Sequence, residues 1–167
     1  MDLTHDLNHR FEADSVGRTL GLLGEKWTLL ILRESFYGAT RFEQFHTVLN
    51  CPRNLGIPRP TLTVRLRRLV DAGLLERVRY TSDPDRFEYN LTEAGIDLFP
   101  SIVALMRWGD AYLSGPQGPP IALRHNDCGE IADPFLACSH CGGAIDARNV
   151  TAERGPGFVE AGTGQKR

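Results

Sequence analysis

The chain has 167 residues, of which 41% are hydrophobic and 24% are charged, and its formal net charge is −2. These values are typical of one folded domain with at most a small appendage. The longest apolar run, WTLLIL from Trp27 to Leu32, is too short to span a bilayer, and the N-terminus lacks the basic start and apolar stretch of a secretory signal. We therefore expect a cytoplasmic protein without a membrane partner, in which the four cysteines are reduced.

The charge is distributed unevenly along the chain. The segment from Arg53 to Arg86 contains eight arginines and four acidic residues, whereas the rest contains 11 basic and 17 acidic residues. A local positive excess in a weakly anionic protein indicates an anionic partner, although an ordinary solvated arginine-rich helix face is an alternative.

The first half of the chain predicts helices. Residues 1–14 are polar and aperiodic, which predicts a flexible leader. Apolar residues then recur at helical spacing from Val16 to Phe36, with Gly24 as a dividing point. Thr40 and Glu43 have capping-box spacing and predict the start of a helix. We expect that helix to bury its apolar residues, namely Phe42, Phe45, Val48 and Leu49.

A turn-rich stretch, residues 50–58, separates this helix from the next. The next helix is predicted to begin near Arg59 or Pro60 and to end at Gly73. It carries one apolar stripe, formed by Leu62, Leu66, Leu69 and Val70.

The second half begins with a change to strand periodicity. LLERVRYT and RFEYNLT predict a β-hairpin with its tip at Ser82 to Asp85. Thr92 is predicted to cap a long helix that runs to about Leu113 and is kinked at Pro100. We expect this helix to bury Ile96, Phe99, Val103 and Met106. Residues 114–120 read as a linker and residues 151–167 as a flexible tail.

Two helices joined by a turn, the second basic and followed by a hairpin, describe a winged helix-turn-helix. We therefore expect residues 15–113 to form a mainly α-helical fold with a small β-hairpin wing. Arginine can read guanine, and an exposed valine such as Val64 can contact a thymine methyl group. The predicted DNA-binding residues are Lys26, Arg59, Thr61, Val64, Arg65, Arg67 and Arg68, with Arg79 and Arg86 on the wing.

The residues in this order also resemble a known family. VGRTLGLLGEKWTLLILRESFYGATRFEQF, LTVRLRRLVDAGLLERVRY and RFEYNLTEAGIDLFPSIVALMRWGD are similar to the HxlR family of bacterial winged-helix transcription regulators, over about Val16 to Leu113. The resemblance implies a homodimer, paired through its N-terminal and C-terminal helices, on a pseudo-palindromic double-stranded DNA operator. We expect a sequence-specific repressor associated with the nucleoid. A protein-interaction module without direct DNA readout is the alternative.

The sequence departs from the family pattern at two places. Members that sense oxidants often carry a cysteine just before the first helix, whereas this chain has Asp14 and Ser15, which argues against thiol sensing by that route. The loop that contains Cys51 is longer than the usual tight turn, and we expect Cys51 to be an inert small residue.

Neither an enzyme nor an effector site is evident from motifs. The sequence has no GxSxG, HExxH, P-loop or dinucleotide-binding motif, so we expect no enzymatic activity. Trp27 and Trp108 are expected in the core, although a small-molecule effector pocket lined by them is an alternative.

A different kind of sequence follows the linker. His125, Cys128, Cys138 and Cys141 form H-x2-C-x9-C-x2-C, which is the knuckle spacing of a structural zinc site, and Gly129 and Gly142 follow the knuckle cysteines. We expect residues 121–150 to form a zinc-ribbon-like segment with its four donor atoms about 3.5–4 Å apart. The alternatives are that His140 replaces His125 as a ligand, that Cys138 and Cys141 form a redox-active pair, or that the segment is a tail without metal.

Overall fold

The computed structural model describes residues 14–50, 56–82 and 84–156. The predicted leader up to residue 13, Cys51 with most of its loop, and the tail from residue 157 lie outside these ranges. The chain forms two compact units, residues 1–103 and 104–167. Among the described residues, no helix is both long and apolar enough to cross a membrane.

The described residues form six helices and one antiparallel β-hairpin. In chain order the elements are α1 (Ser15–Leu23), α2 (Thr28–Phe36), α3 (Phe42–Leu49), α4 (Arg59–Asp71), β1 (Leu75–Ser82), β2 (Asp85–Leu91), α5 (Glu93–Ile96) and α6 (Phe99–Leu113). This is the predicted mainly α-helical fold with a hairpin wing. Asp14, predicted to be the last residue of the leader, is the N-cap of α1 and accepts hydrogen bonds from the backbone N–H groups of Val16 (3.0 Å) and Gly17 (3.1 Å).

The core of the first unit is made of aliphatic side chains and one phenylalanine. Its fully buried members come from α2, α3, α4 and the first residue of β1; they are Ile31, Leu32, Phe45, Leu49, Leu62, Leu66, Leu69 and Leu75, with Ile57 from the preceding loop. The three leucines predicted to form the apolar stripe of α4 are thus buried, and the fourth predicted residue, Val70, is half-buried. This stripe fixes which side of α4 faces away from the core.

The end of α4 is a Schellman motif. Gly73 has a φ of 70°. The backbone N–H groups of Gly73 and Leu74 donate to the carbonyl groups of Val70 and Leu69, each at 2.9 Å. The predicted helix end is therefore confirmed, and the chain passes directly into β1. Strand β1 pairs with β2 through a register in which Ser82 opposes Asp85, as the predicted hairpin tip requires, with an irregularity between Arg79 and Thr81.

The start of α3 differs from the prediction. Arg41, not Thr40, is the N-cap, and Gln44 instead of Glu43 closes the turn. The Gln44 Oε1 atom accepts hydrogen bonds from the backbone N–H groups of Thr40 (2.9 Å) and Arg41 (2.8 Å). Thr40 is engaged elsewhere, since its carbonyl group accepts from the N–H group of Tyr89 on the wing, at 2.7 Å.

The predicted long final helix is two helices. Thr92 does cap the first, α5, through a 3.1 Å bond from the N–H group of Gly95, but the chain then turns and restarts at Phe99. Proline has no N–H group and its ring clashes with the preceding turn of a helix, so Pro100 is accommodated in the first turn of α6 instead of kinking one long helix.

Several residues expected in the core are exposed. Ile96 is 53% exposed, and Phe99 is 38% exposed although its ring contacts that of Phe36, whereas Val103 is buried as predicted. Val48 is exposed on α3, and the expectation that Trp108 is a core residue is wrong, because 57% of it is accessible. Trp27 packs against the core cluster and is half-buried.

Candidate nucleic-acid interface

The side of α4 opposite its leucine stripe is accessible and positively charged. Val64 is 49% exposed, Arg67 and Arg68 are exposed, and Thr61 is half-buried. The helix begins with Pro58 as N-cap and has no acidic residue in its first turn. A helix that is anchored along one stripe and carries a methyl-bearing side chain among arginines on the other can enter the DNA major groove.

Arg65 differs from the other predicted DNA-binding residues. Its side chain is only 16% exposed, and its guanidinium group forms an ion pair with Glu25 in the turn between α1 and α2. Arg65 Nε is buried and, among the described residues, has no hydrogen-bond partner. Arg68 pairs with the other oxygen of the same carboxylate but is 61% exposed. Glu25 therefore links the turn after α1 to two successive turns of α4.

A second glutamate holds the first residue of α4. Arg59 and Glu43 on α3 form a two-point ion pair, one contact of which is 3.1 Å long. The hydrogen bond from Arg59 lowers the pKa of the Glu43 carboxyl group, and the same contact raises the pKa of Arg59. The Arg59 side chain is directed toward α3, where its guanidinium carbon also lies 5.1 Å from the centre of the Phe42 ring.

The hairpin supplies the remaining predicted contacts. Arg79 and Arg86 are both exposed, and Arg79 forms a 3.3 Å ion pair with Asp85 near the tip. Arg77 lies over the ring of Phe87, 3.4 Å from its centre. Lys26 is exposed beside Glu25, with its Nζ 4.9 Å from the Trp27 ring centre. Cationic groups are therefore exposed on α4, on the turn after α1 and on the wing.

Sequence reasoning missed the acidic partners of this surface. Glu25 lies 43 residues from Arg68, and Glu43 lies 16 residues from Arg59. Arg41 was also missed; it donates a 2.9 Å bond to Glu88 on the wing and lies over the Tyr80 ring. No spacing rule connects residues so far apart, because these pairs exist only after the helices have packed.

An open cavity of about 470 Å³ lies between α2 and α3. Its lining includes Glu34, Tyr37, Glu43 and Gln44, and neither tryptophan is part of it. An effector pocket lined by Trp27 and Trp108 stays a prediction.

The predicted zinc ligands form two separate pairs. His125 Nδ1 lies 3.3 Å from the Cys128 sulfur. Hydrogen bonds from the backbone N–H groups of Cys141 and His140, and from the Cys141 thiol, lower the pKa of the Cys138 thiol. The expected convergence of all four donors is not found, because the described residues contain no group of three or more His, Cys, Asp or Glu side chains that could hold a metal ion.

Comparisons with known proteins agree with the winged-helix geometry. A family model described as HxlR-like helix-turn-helix matches residues 22–117. An uncharacterised HTH-type transcriptional regulator of Mycobacterium tuberculosis is 65% identical over 153 residues, which cover 92% of this chain and 93% of the relative. The HTH-type regulator YdeP of Bacillus subtilis, also uncharacterised, is 35% identical over 61% of this chain and 76% of its own length.

Solved structures give the same result. PA1607, described as a candidate transcription factor, superposes with a TM-score of 0.71 at 32% identity and covers 85% of this chain and 95% of its own. The redox regulator HypR in its reduced form has a TM-score of 0.54 at 32% identity, with 60% of this chain and 95% of HypR covered.

Proposed function

The chain belongs to the HxlR-like helix-turn-helix family and is a DNA-binding transcriptional regulator, and we propose that it is a homodimeric repressor that reads a specific operator through α4. The observation that carries this proposal is the exposed side of α4. There Val64 is half exposed among arginines, while the opposite side is fixed in the core by Leu62, Leu66 and Leu69. A solvated helix face is usually polar, whereas a valine on a base-reading face can contact a thymine methyl group.

The arginines on this surface have different proposed roles. Arg68 is the exposed guanidinium on the reading side and is the proposed base contact. Arg67, Arg79 and Arg86 are proposed phosphate contacts, with Lys26 as a supporting one. Arg65 is too enclosed by its pair with Glu25 to reach a base freely, so we assign it to holding α4 in position.

A binding assay with defined DNA tests the reading face. Arg68→Ala should weaken operator binding by about 1–3 kcal/mol and relax base preference at one position of each half-site. Arg79→Ala should instead weaken binding to all sequences and reduce the slope of log affinity against log salt by about one. Arg148→Ala is the matched control, because Arg148 is an exposed arginine of the second unit with an acidic neighbour, Asp146.

Mapping bound DNA across the genome identifies the operator. The region upstream of the protein's own gene is the first candidate. If Arg68→Ala and Arg148→Ala bind the mapped site equally well, α4 does not read the bases. Increased transcription of the bound genes in a deletion strain supports repression, and decreased transcription contradicts it. Action on an operator would place the protein at the nucleoid, in the cytoplasm.

The dimer is proposed from two exposed apolar surfaces. On α1, Val16, Leu20 and Leu22 are each more than 40% exposed. On α6 the exposed apolar residues are Leu105, Trp108, Tyr112 and Leu113, and the ring centres of Trp108 and Tyr112 lie 5.4 Å apart. Surfaces of this kind are characteristic of subunit interfaces. In a dimer, two copies of α4 would bind operator half-sites whose centres lie about 34 Å apart, or a multiple of that spacing.

A further inference from the structure

The segment after α6 contains the same hydrogen-bonded turn twice. In the first turn the N–H group of Gly129 donates to the His125 carbonyl group (2.8 Å), and that of His125 donates to Glu130 (2.9 Å). Thirteen residues later, Gly142 donates to Cys138 (2.8 Å) and Cys138 donates to Gly143 (2.8 Å). We call residues 123–132 and 136–145 the first and second knuckle.

The equivalence extends beyond the turns. The flanking bonds, from Ala132 to Leu123 (2.7 Å) and from Ile145 to Leu136 (2.9 Å), are displaced by the same thirteen residues. So are the bridges between Arg124 and Ile131 and between Ala137 and Ala144. The glycine that ends each turn has a positive φ, 76° for Gly129 and 70° for Gly142, which a residue with a side chain adopts only with strain.

The candidate ligands occupy the same positions in both knuckles. His125 and Cys138 are the first residues of the two turns, and Cys128 and Cys141 are the fourth. His140 is the third residue of the second turn and corresponds to Asp127 in the first. The repeat therefore favours His125, and not His140, as the nitrogen ligand.

Burial of apolar side chains does not explain how this segment folds. Every residue from 121 to 150 is exposed or half-buried, and the larger apolar side chains, Ile131, Phe135, Leu136 and Ile145, are 37–65% exposed. A segment of about 30 residues without a core usually needs a disulfide or a metal to fold. Its three cysteines are free thiols in the structure.

We propose that the two knuckles are the halves of one structural zinc site with His125, Cys128, Cys138 and Cys141 as its ligands. Each knuckle offers two donors, whereas zinc in structural sites takes four, so neither knuckle alone completes the coordination. Zinc binding would therefore bring the two pairs of donors together around one ion. Binding requires deprotonated thiols, so zinc uptake releases their protons to solvent. The site is closed to substrate and serves to fold the segment.

The test uses the full-length chain, purified under reducing conditions. We expect about one zinc per chain by mass spectrometry of the metal. After removal of the metal, titration with Co²⁺ should give the intense visible bands of a tetrahedral ion and a sulfur-to-cobalt charge-transfer band. Cys138→Ser and Cys141→Ser should lose the zinc and these bands, and limited proteolysis should then cleave within residues 121–150.

Three further variants test the ligand assignment. Cys51→Ser removes the cysteine outside the motif and should retain the zinc. His125→Asn should lower zinc affinity, whereas His140→Asn should not. Operator binding should change by no more than about twofold in the metal-free protein, since additivity is expected for independent sites. The proposal is overturned if the reduced wild-type chain takes up neither zinc nor cobalt, or if Cys138→Ser retains a full complement of zinc. Loss of affinity in His140→Asn alone overturns the assignment of His125.

Discussion

At the scale of single residues, the surface proposed to read DNA is not simply a set of free arginines. Glu25 holds both Arg65 and Arg68, and Glu43 holds Arg59, so two acids from outside α4 partly neutralise it. A phosphate must compete with these carboxylates for the same guanidinium groups. We infer that these ion pairs weaken binding to non-specific DNA and orient the arginine side chains before they contact an operator.

Removing the charge of Glu25 tests this role. Glu25→Gln should strengthen binding to non-specific DNA by about two- to fivefold, the range expected when an exposed ion pair no longer competes. Operator binding should gain less or fall, because Arg65 loses the group that positions it. The measurement is the ratio of operator affinity to non-specific affinity at fixed salt. Glu93→Gln removes the same charge at the start of α5, and an equal change in that variant would show that only net charge matters.

At the scale of elements, the transition from α4 to β1 determines where the wing lies relative to the recognition helix. Gly73 makes this transition possible, since its φ of 70° is accessible to other residues only with strain. The following residue, Leu74, is buried, and its carbonyl group accepts a 3.2 Å bond from the N–H group of Thr92. The helix end, the wing and α5 are therefore fixed at one point.

Gly73→Ala should destabilise the first unit by about 1 kcal/mol, which is the cost of the left-handed conformation. No atom lies within 4 Å of the position of the added methyl group, so the effect would be conformational and not steric. Gly21→Ala is the control, because Gly21 lies inside α1 with equally open space and should be stabilised by up to about 1 kcal/mol. Thermal unfolding of the two variants measures the difference, and equal melting temperatures would contradict it.

At the scale of the whole molecule, the exposed apolar residues of α1 and α6 support the proposed dimer. A single recognition helix contacts only a few base pairs, so two copies would be needed to distinguish an operator within a genome. The exposed Trp108 and Leu105, unexplained in a monomer, would be buried at such an interface.

Light scattering at micromolar concentration measures the assembly without DNA. The wild-type chain should have the mass of a dimer, and Leu105→Asp should have that of a monomer, since a charge buried in an apolar interface is costly. Phe135→Ala changes a similarly exposed apolar residue between the two knuckles and should remain dimeric. A monomeric wild-type chain would remove the dimer proposal, as would a dimeric Leu105→Asp chain.

The sequence alone determined the first four helices, the hairpin and the leucine stripe of α4, because periodicity and turn residues act over a few positions. It also determined the family through the motifs between Val16 and Leu113. Tertiary structure decided which predicted contacts are accessible: Arg65 is enclosed by Glu25, whereas Val64 and Arg68 remain open. It also decided that Trp108 is exposed and that the final helix restarts before Pro100. These outcomes depend on contacts between residues far apart in the chain, which form only when the elements pack. Local sequence rules do not describe such contacts.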